Sequence, residues 1–156
     1  MKLVINSCFG GFGLSASAVE RLAQLNNRPC YFFVYKGGSL DEYIPATVEQ
    51  ANDSLMFTAF DIPNPQEVLK KTKPWHEMTM DEREQHNSAY REHYLDHGRR
   101  LSRNDPMLVR VVEELGEAAN GKCAELKVIE IPDDVEWEID EYDGVESVHE
   151  VHRSWN

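Results

Sequence analysis

The stretch Phe9-Gly10-Gly11-Phe12-Gly13-Leu14-Ser15-Ala16-Ser17 is where residue types and spacing best fit a chemical task. Glycines at 10, 11 and 13 permit backbone angles closed to other residues, and a glycine loop between a strand and a helix can aim N–H groups and the helix dipole at one anion. Gly10, Gly11 and Gly13, with Ser15 and Ser17, are therefore expected to receive the oxygens of a small anionic, nucleotide-like ligand, with Phe9 or Phe12 stacking on its base. The plain alternative is a tight turn whose phenylalanines face inward. The loose dinucleotide fingerprint Gly11-x-Gly13-x-x-Ala16 is present, but Lys36 stands where an acid should hold a ribose, and no Gly-Lys-Ser/Thr follows as in a P-loop. A phosphatase-type loop starting at Cys8 fails as well, because Leu14 occupies the arginine position.

Arg99, Arg100 and Arg103 are close in sequence and immediately precede a helix start at Asp105, with Arg110 about two turns beyond Arg103. Guanidinium forks beside a second helix N-terminus would complete a phosphate site. Pairing with surface carboxylates is the competing reading. Of six histidines, His76, His86, His93 and His97 lie in the polar middle of the chain, and His93 and His97 stand at the i, i+4 spacing of a metal pair. No H-E-x-x-H or CxxC pattern supports them, so no metal and no cofactor is expected. Cys8 reads as a buried thiol rather than a nucleophile, no catalytic residue is assigned, and a non-enzymatic protein is expected.

Positioning such residues needs a core, and 156 residues with 41% apolar and 28% charged content suit one globular domain without disulfide or structural metal. Cys8, Cys30 and Cys123 lie far apart, as reduced thiols of a cytoplasmic protein do. The longest apolar run, Pro29 to Tyr35, is far short of a membrane span, and the N-terminus lacks a secretory pattern. Sixteen basic against twenty-eight acidic residues give a net charge of −12. From Asp133 onward stand nine acids (Asp133, Asp134, Glu136, Glu138, Asp140, Glu141, Asp143, Glu146, Glu150) and one base, Arg153. Such a chain is repelled by nucleic-acid phosphates, so neither a nucleic acid duplex nor a membrane is an expected partner. The acidic run reads as the solvated face of a hairpin, a divalent-cation surface, or carboxylates imitating nucleic-acid phosphates.

The elements follow from periodicity. Lys2 to Cys8 reads as a strand, Ser17 with Glu20 as the capping box of a helix ending at Asn26-Asn27, and Cys30 to Tyr35 as a strand closed by Lys36-Gly37-Gly38. A helical crossover usually joins parallel strands, so an α/β layered domain with a mixed sheet is expected. Ser54 to Phe60 could be a third strand. Thr79 with Glu82 opens a polar helical insertion, about residues 75–100, reaching about Gly98. Asp105 and Pro106 start a helix with Leu108, Val111, Val112, Leu115 and Ala119 on one face. Ala124 to Ile131 and the alternating Val135, Trp137, Ile139 predict a C-terminal hairpin. Asp143-Gly144 predicts a turn, with a short closing helix over Val145, Val148, His149 and His152.

The segments VINSCFGGFGLSASAV and RNDPMLVRVVEELGEAANGKCAELKVIEIPDDVEWEIDEYDGVE resemble a group of small proteins encoded by bacteriophages and prophages. The resemblance covers somewhat less than half the chain, omits about Lys36 to Arg99, and brings no assigned activity or catalytic residues. It implies a product acting in bacterial host cytoplasm against a host system. Two anion-suited features then lead to a binding protein that sequesters a nucleotide-like defence signal. The alternatives are an inhibitor covering a host protein with its acidic hairpin, and a nucleotide-processing enzyme. A homo-oligomer sharing the site between subunits stays open at this point.

Overall fold

A computed structural model of the chain describes residues 1–34, 43–69, 73–98 and 100–151. Strand β1 (Lys2–Asn6) is apolar enough to be buried almost throughout, with only Lys2 exposed. The loop beyond it leads into α1 (Ala16–Leu25), and then β2 (Tyr31–Val34), β3 (Ile44–Ala46), α2 (Val48–Asp53), β4 (Phe57–Phe60) and α3 (Pro65–Val68). A 3₁₀ turn at Trp75–Glu77 precedes α4 (Met80–His93). The chain closes with α5 (Pro106–Leu115), β5 (Leu126–Glu130), β6 (Trp137–Tyr142) and β7 (Val145–Glu150). The chain contains both helices and strands, consistent with the expected mixed α/β class.

The strands form three small sheets, and every pairing among the described residues is antiparallel. The parallel β1–β2 neighbours of a mixed sheet do not form: β1 pairs with β5, Lys2 opposite Glu130 and Asn6 opposite Leu126. Strand β2 instead centres a sheet ordered β3-β2-β4. The expected hairpin of β5 with β6 does not form: β5 pairs with β1, and the C-terminal hairpin joins β6 to β7. Its two-residue turn, Asp143-Gly144, has positive φ at both positions (50° and 89°), the requirement that makes Asp-Gly a strong hairpin signal.

The chain divides into two compact units, Met1–Leu22 with Asp96 onward, and Ala23–Leu95. In the first, α5 packs on β1 and β5 and contributes buried Leu108, Val111 and Val112. In the second, Phe33 and Phe60 form an aromatic core with Tyr43, Tyr90 and Tyr94, ring centroids 5.1–6.2 Å apart.

Three helix expectations change. Helix α1 is capped by Ser15, whose hydroxyl accepts the Ala18 N–H, so it starts ahead of the Ser17 predicted as cap. Helix α4 has the expected Thr79–Glu82 capping box but ends at His93, because Tyr94 bridges Phe60 and Leu95 N–H donates to Ala59, drawing the chain into extended pairing with β4. His97 is therefore not on that helix. The closing helix is strand β7, held by its ladder to β6. The Tyr35 to Gly38, His152 and Arg153 positions lie outside the described residues.

Candidate functional site

Four buried or half-buried side chains tie the glycine loop to the β6–β7 ribbon. Asn6, the last residue of β1, is fully buried, and its backbone N–H donates to Glu146 Oε2 at 2.9 Å. Its side-chain amide donates to Cys8 O at 2.7 Å and Gly144 O at 2.6 Å, while Oδ1 accepts the Glu125 N–H at 2.8 Å. The other oxygen of Glu146 accepts from Arg103 at 2.6 Å, with the two side chains 5% and 15% exposed. Arg103 also donates to Gly98 O at 3.2 Å, and its Cζ lies 3.5 Å from the centroid of Phe12.

The loop and the arginine thus converge within one unit, as a ligand site demands. Several of their polar groups, however, already bond within the protein, although the buried Nε of Arg103 has no hydrogen-bond partner among the described residues. Gly10 N–H donates to Asp143 O at 3.3 Å, Gly13 O accepts from Gly121, and the Leu14 and Ser15 amides donate to His97 O and Ala119 O. The hairpin turn also sits tightly on the loop: a Cβ on Gly144 would come within 2.2 Å of Gly11 N and 2.7 Å of Gly10 N. Ser15 is buried, caps α1 and donates to Ala118 O at 2.6 Å; Ser17 lies inside the first turn of α1. Phe12 is buried beneath Arg103, so the inward reading holds for it, whereas Phe9 is 67% exposed.

The remaining arginines separate. Arg99 lies outside the described residues. Arg100 is exposed, and its backbone N–H donates to Asp96. Arg110 pairs with Glu114 at 2.7 Å, and Glu114 also receives Arg21 at 2.8 Å. The Arg21 and Arg110 hydrogen bonds hold the Glu114 carboxyl down at about 2. The α5 N-terminus is filled by its own cap, since Asp105 Oδ1 accepts from Met107 and Leu108 at 2.8 and 2.9 Å. An anion at that place would meet a carboxylate.

The ribbon register distributes its charges. Glu138 lies opposite His149, Asp140 opposite Ser147 and Tyr142 opposite Val145, and these make one face. Glu138, Asp140, Ser147 and His149 on it are exposed, and Tyr142 is 81% exposed. The other face carries half-buried Trp137, Ile139 and Val148 with buried Glu146, and the exposed Glu141 and Glu150 at its two ends. The hydrogen bond from Gly10 to Asp143 brings the residues before them, Phe9 and Tyr142, to the same end of the ribbon.

A second cluster, absent from the sequence reading, lies in the unit Ala23–Leu95. Asp61 Oδ2 accepts from Arg28 at 2.6 and 3.2 Å, Asp61 Oδ1 stands 2.9 Å from His93 Nδ1, and Arg28 also donates to Glu92 O. Burial pushes the Asp61 carboxyl up, but the Arg28 and His93 hydrogen bonds and charges together outweigh it and hold the group below its ordinary value. The β2–β4 register, prolonged one step beyond Tyr31–Phe60, places Cys30 opposite Asp61, so the row runs Cys30, Asp61, His93. A nucleophilic relay needs the imidazole in the middle. Here the carboxylate is central and shared with arginine, which makes an ion-pair knot.

Among the described residues no group of three His, Cys, Asp or Glu is arranged to hold a metal, and no helix is long and apolar enough to cross a membrane. Comparison with protein-family models, curated proteins and solved structures finds no match to this chain.

Proposed function

We propose that this chain is a non-catalytic binding protein whose β6–β7 ribbon engages a basic surface on a partner protein, with Tyr142 and Phe9 as aromatic anchors at its tip. The observation that supports this reading is the division of the ribbon's faces. Trp137, Ile139, Val148 and Glu146 share the more buried face, while Glu138, Asp140 and the highly exposed Tyr142 project together from the other. Exposed aromatic rings beside unpaired-sign charge are what interface anchors require, and acids around them steer association with a Lys/Arg-bearing surface. In the phage or prophage setting implied by the resemblance, that partner is a host cytoplasmic protein.

The test compares captures from host lysate by the full chain and by a Glu138→Gln, Asp140→Asn, Tyr142→Ala variant. The expected result is a stoichiometric partner held by the parent chain, released as salt rises, and lost by the variant at least about tenfold, the weakening a single anchor commonly gives. Equal retention of that partner by both chains, or capture that is indifferent to salt, would overturn the reading.

A second reading, sequestration of a small nucleotide-like anion, is favoured by one observation: Arg103 and the glycine loop do meet. An anion reaching Arg103 must displace Glu146, so Glu146→Gln should raise its affinity. Thermal shift against cyclic and linear nucleotides checks this, and a variant that responds to none of them leaves the reading without support.

A further inference from the structure

The β1–β5 pairing brings Cys8 and Cys123, distant in sequence, to the open end of one ladder. Asn6 stands opposite Leu126, and the Ser7 N–H to Glu125 O bond at 2.8 Å carries the pairing one residue further. Cys8 and Cys123 follow on the two emerging segments. The Cys8 Sγ lies 3.5 Å from the Cys123 carbonyl oxygen and 3.5 Å from Asn6 Oδ1. Gly10, two residues after Cys8, abuts Cys123 so closely that a Cβ on it would stand 2.7 Å from Cys123 Cβ. Both the sulfur of one residue and the loop that carries it therefore lie against the other. Disulfides span Cα atoms roughly 4.4–6.8 Å apart, and with the Cys8 sulfur already against the Cys123 backbone, closure requires side-chain rotation and adjustment of the turn that carries Cys123. Cys123 is exposed and Cys8 half-buried, which gives the pair one thiol open to a reagent and one sheltered beside it. Cys30 belongs to the other compact unit.

We propose that Cys8 and Cys123 form a dithiol site for exchange with low-molecular-weight disulfides. The Cys123 thiolate attacks a disulfide such as oxidised glutathione, forming a mixed disulfide and expelling one glutathione thiolate. The Cys8 thiolate then attacks the Cys123 sulfur, the Cys8–Cys123 bond forms, and the second glutathione leaves. Two cysteine thiols are oxidised, one glutathione disulfide is reduced, and the two thiol protons pass to the departing glutathione thiolates. The exposed cysteine acts first and the half-buried one resolves, an order fixed by access.

The test treats the native full chain with oxidised glutathione, blocks remaining thiols by alkylation, and maps non-reduced peptides by mass spectrometry. The expected product links the Cys8 and Cys123 peptides, retains no glutathione, reverts with dithiothreitol, and leaves Cys30 alkylated. Cys8→Ser should stop at a glutathione adduct on Cys123, with glutathionylated chain increased at least about tenfold over the parent, because the resolving thiol is gone. Stable glutathione on Cys123 of the parent chain, a link that uses Cys30, or no linked peptide at all would overturn the assignment. None of these outcomes depends on whether the ribbon binds a partner.

Discussion

Arg103 lies over the ring of Phe12, its Cζ 3.5 Å from the centroid. The arginine that sequence reasoning assigned to a phosphate is thus held on an aromatic floor while Glu146 neutralises its charge at 2.6 Å. Replacing Glu146 by Ala leaves that guanidinium and the Asn6 N–H without their carboxylate, and should cost about 3–5 kcal/mol, as breaking a buried pair does. Urea unfolding should show a lowered midpoint at nearly unchanged slope. A loss under about 1 kcal/mol would mean that the pair carries little of the unit's stability.

Asn6 saturates its side chain with two donated bonds to carbonyls and two accepted, from the Glu125 N–H and the Cys8 thiol. Asn6→Asp keeps the shape but turns the donating nitrogen into an oxygen facing Cys8 O and Gly144 O. The new carboxyl is favoured in its protonated form in the native state, so its folded pKa rises above the unfolded value near 3.9. Relative to the parent, the variant should therefore be least stable near neutral pH and recover as pH falls toward that value. Denaturation curves for both proteins at several pH values check the trend.

The Asp61 carboxyl gives the opposite sign. Its folded pKa is lowered from the ordinary 3.8, so its contribution to stability is present above the unfolded value and disappears as pH falls through the folded one. Carbon NMR should place its titration midpoint below 3.8, and Arg28→Gln should move that midpoint upward because one of the two stabilising partners is gone.

Two glycines, one in the ribbon turn and one in the loop it covers, should respond differently. Gly144→Ala adds a Cβ 2.2 Å from Gly11 N at a position with φ of +89°, and should destabilise by about 2–4 kcal/mol through overlap and backbone strain. Gly13→Ala meets nothing within 4 Å and carries no positive φ, so its effect should stay within about 0.5 kcal/mol. Thermal unfolding of the two variants in parallel separates them.

Local signals in the sequence were legible where a single residue's own backbone bonds decide the outcome. Asp105 and Pro106 start α5, Thr79 and Glu82 box the start of α4, and Asp143-Gly144 turns the ribbon, each as its side chain chemistry dictates. The Thr47–Gln50 box that opens α2 carries the same signature and was readable by the same rule. Pairing was not readable in this way. Nothing near Lys2 announces Glu130 as its opposite, and the valines at 145 and 148 fit a helical spacing until the ladder to β6 fixes them as strand. Glu146 looked like one more solvated acid because its two partners, Arg103 and Asn6, lie 43 and 140 positions away. The Asp61 knot was hidden for the same reason: Arg28, Asp61 and His93 become neighbours only once β4 is flanked on both sides.

The division of the chain into an interrupted unit and a contiguous one sets an order for its synthesis. Ala23–Leu95 leaves the ribosome as a complete set of strands and can close while translation continues. Strand β1, made before that unit, must wait for β5, made after it, so its apolar Leu3, Val4 and Ile5 stay uncovered until β5 emerges. Nascent chains stalled before Leu126 should therefore be the ones that engage holdase chaperones, and release past Glu130 the event that frees them.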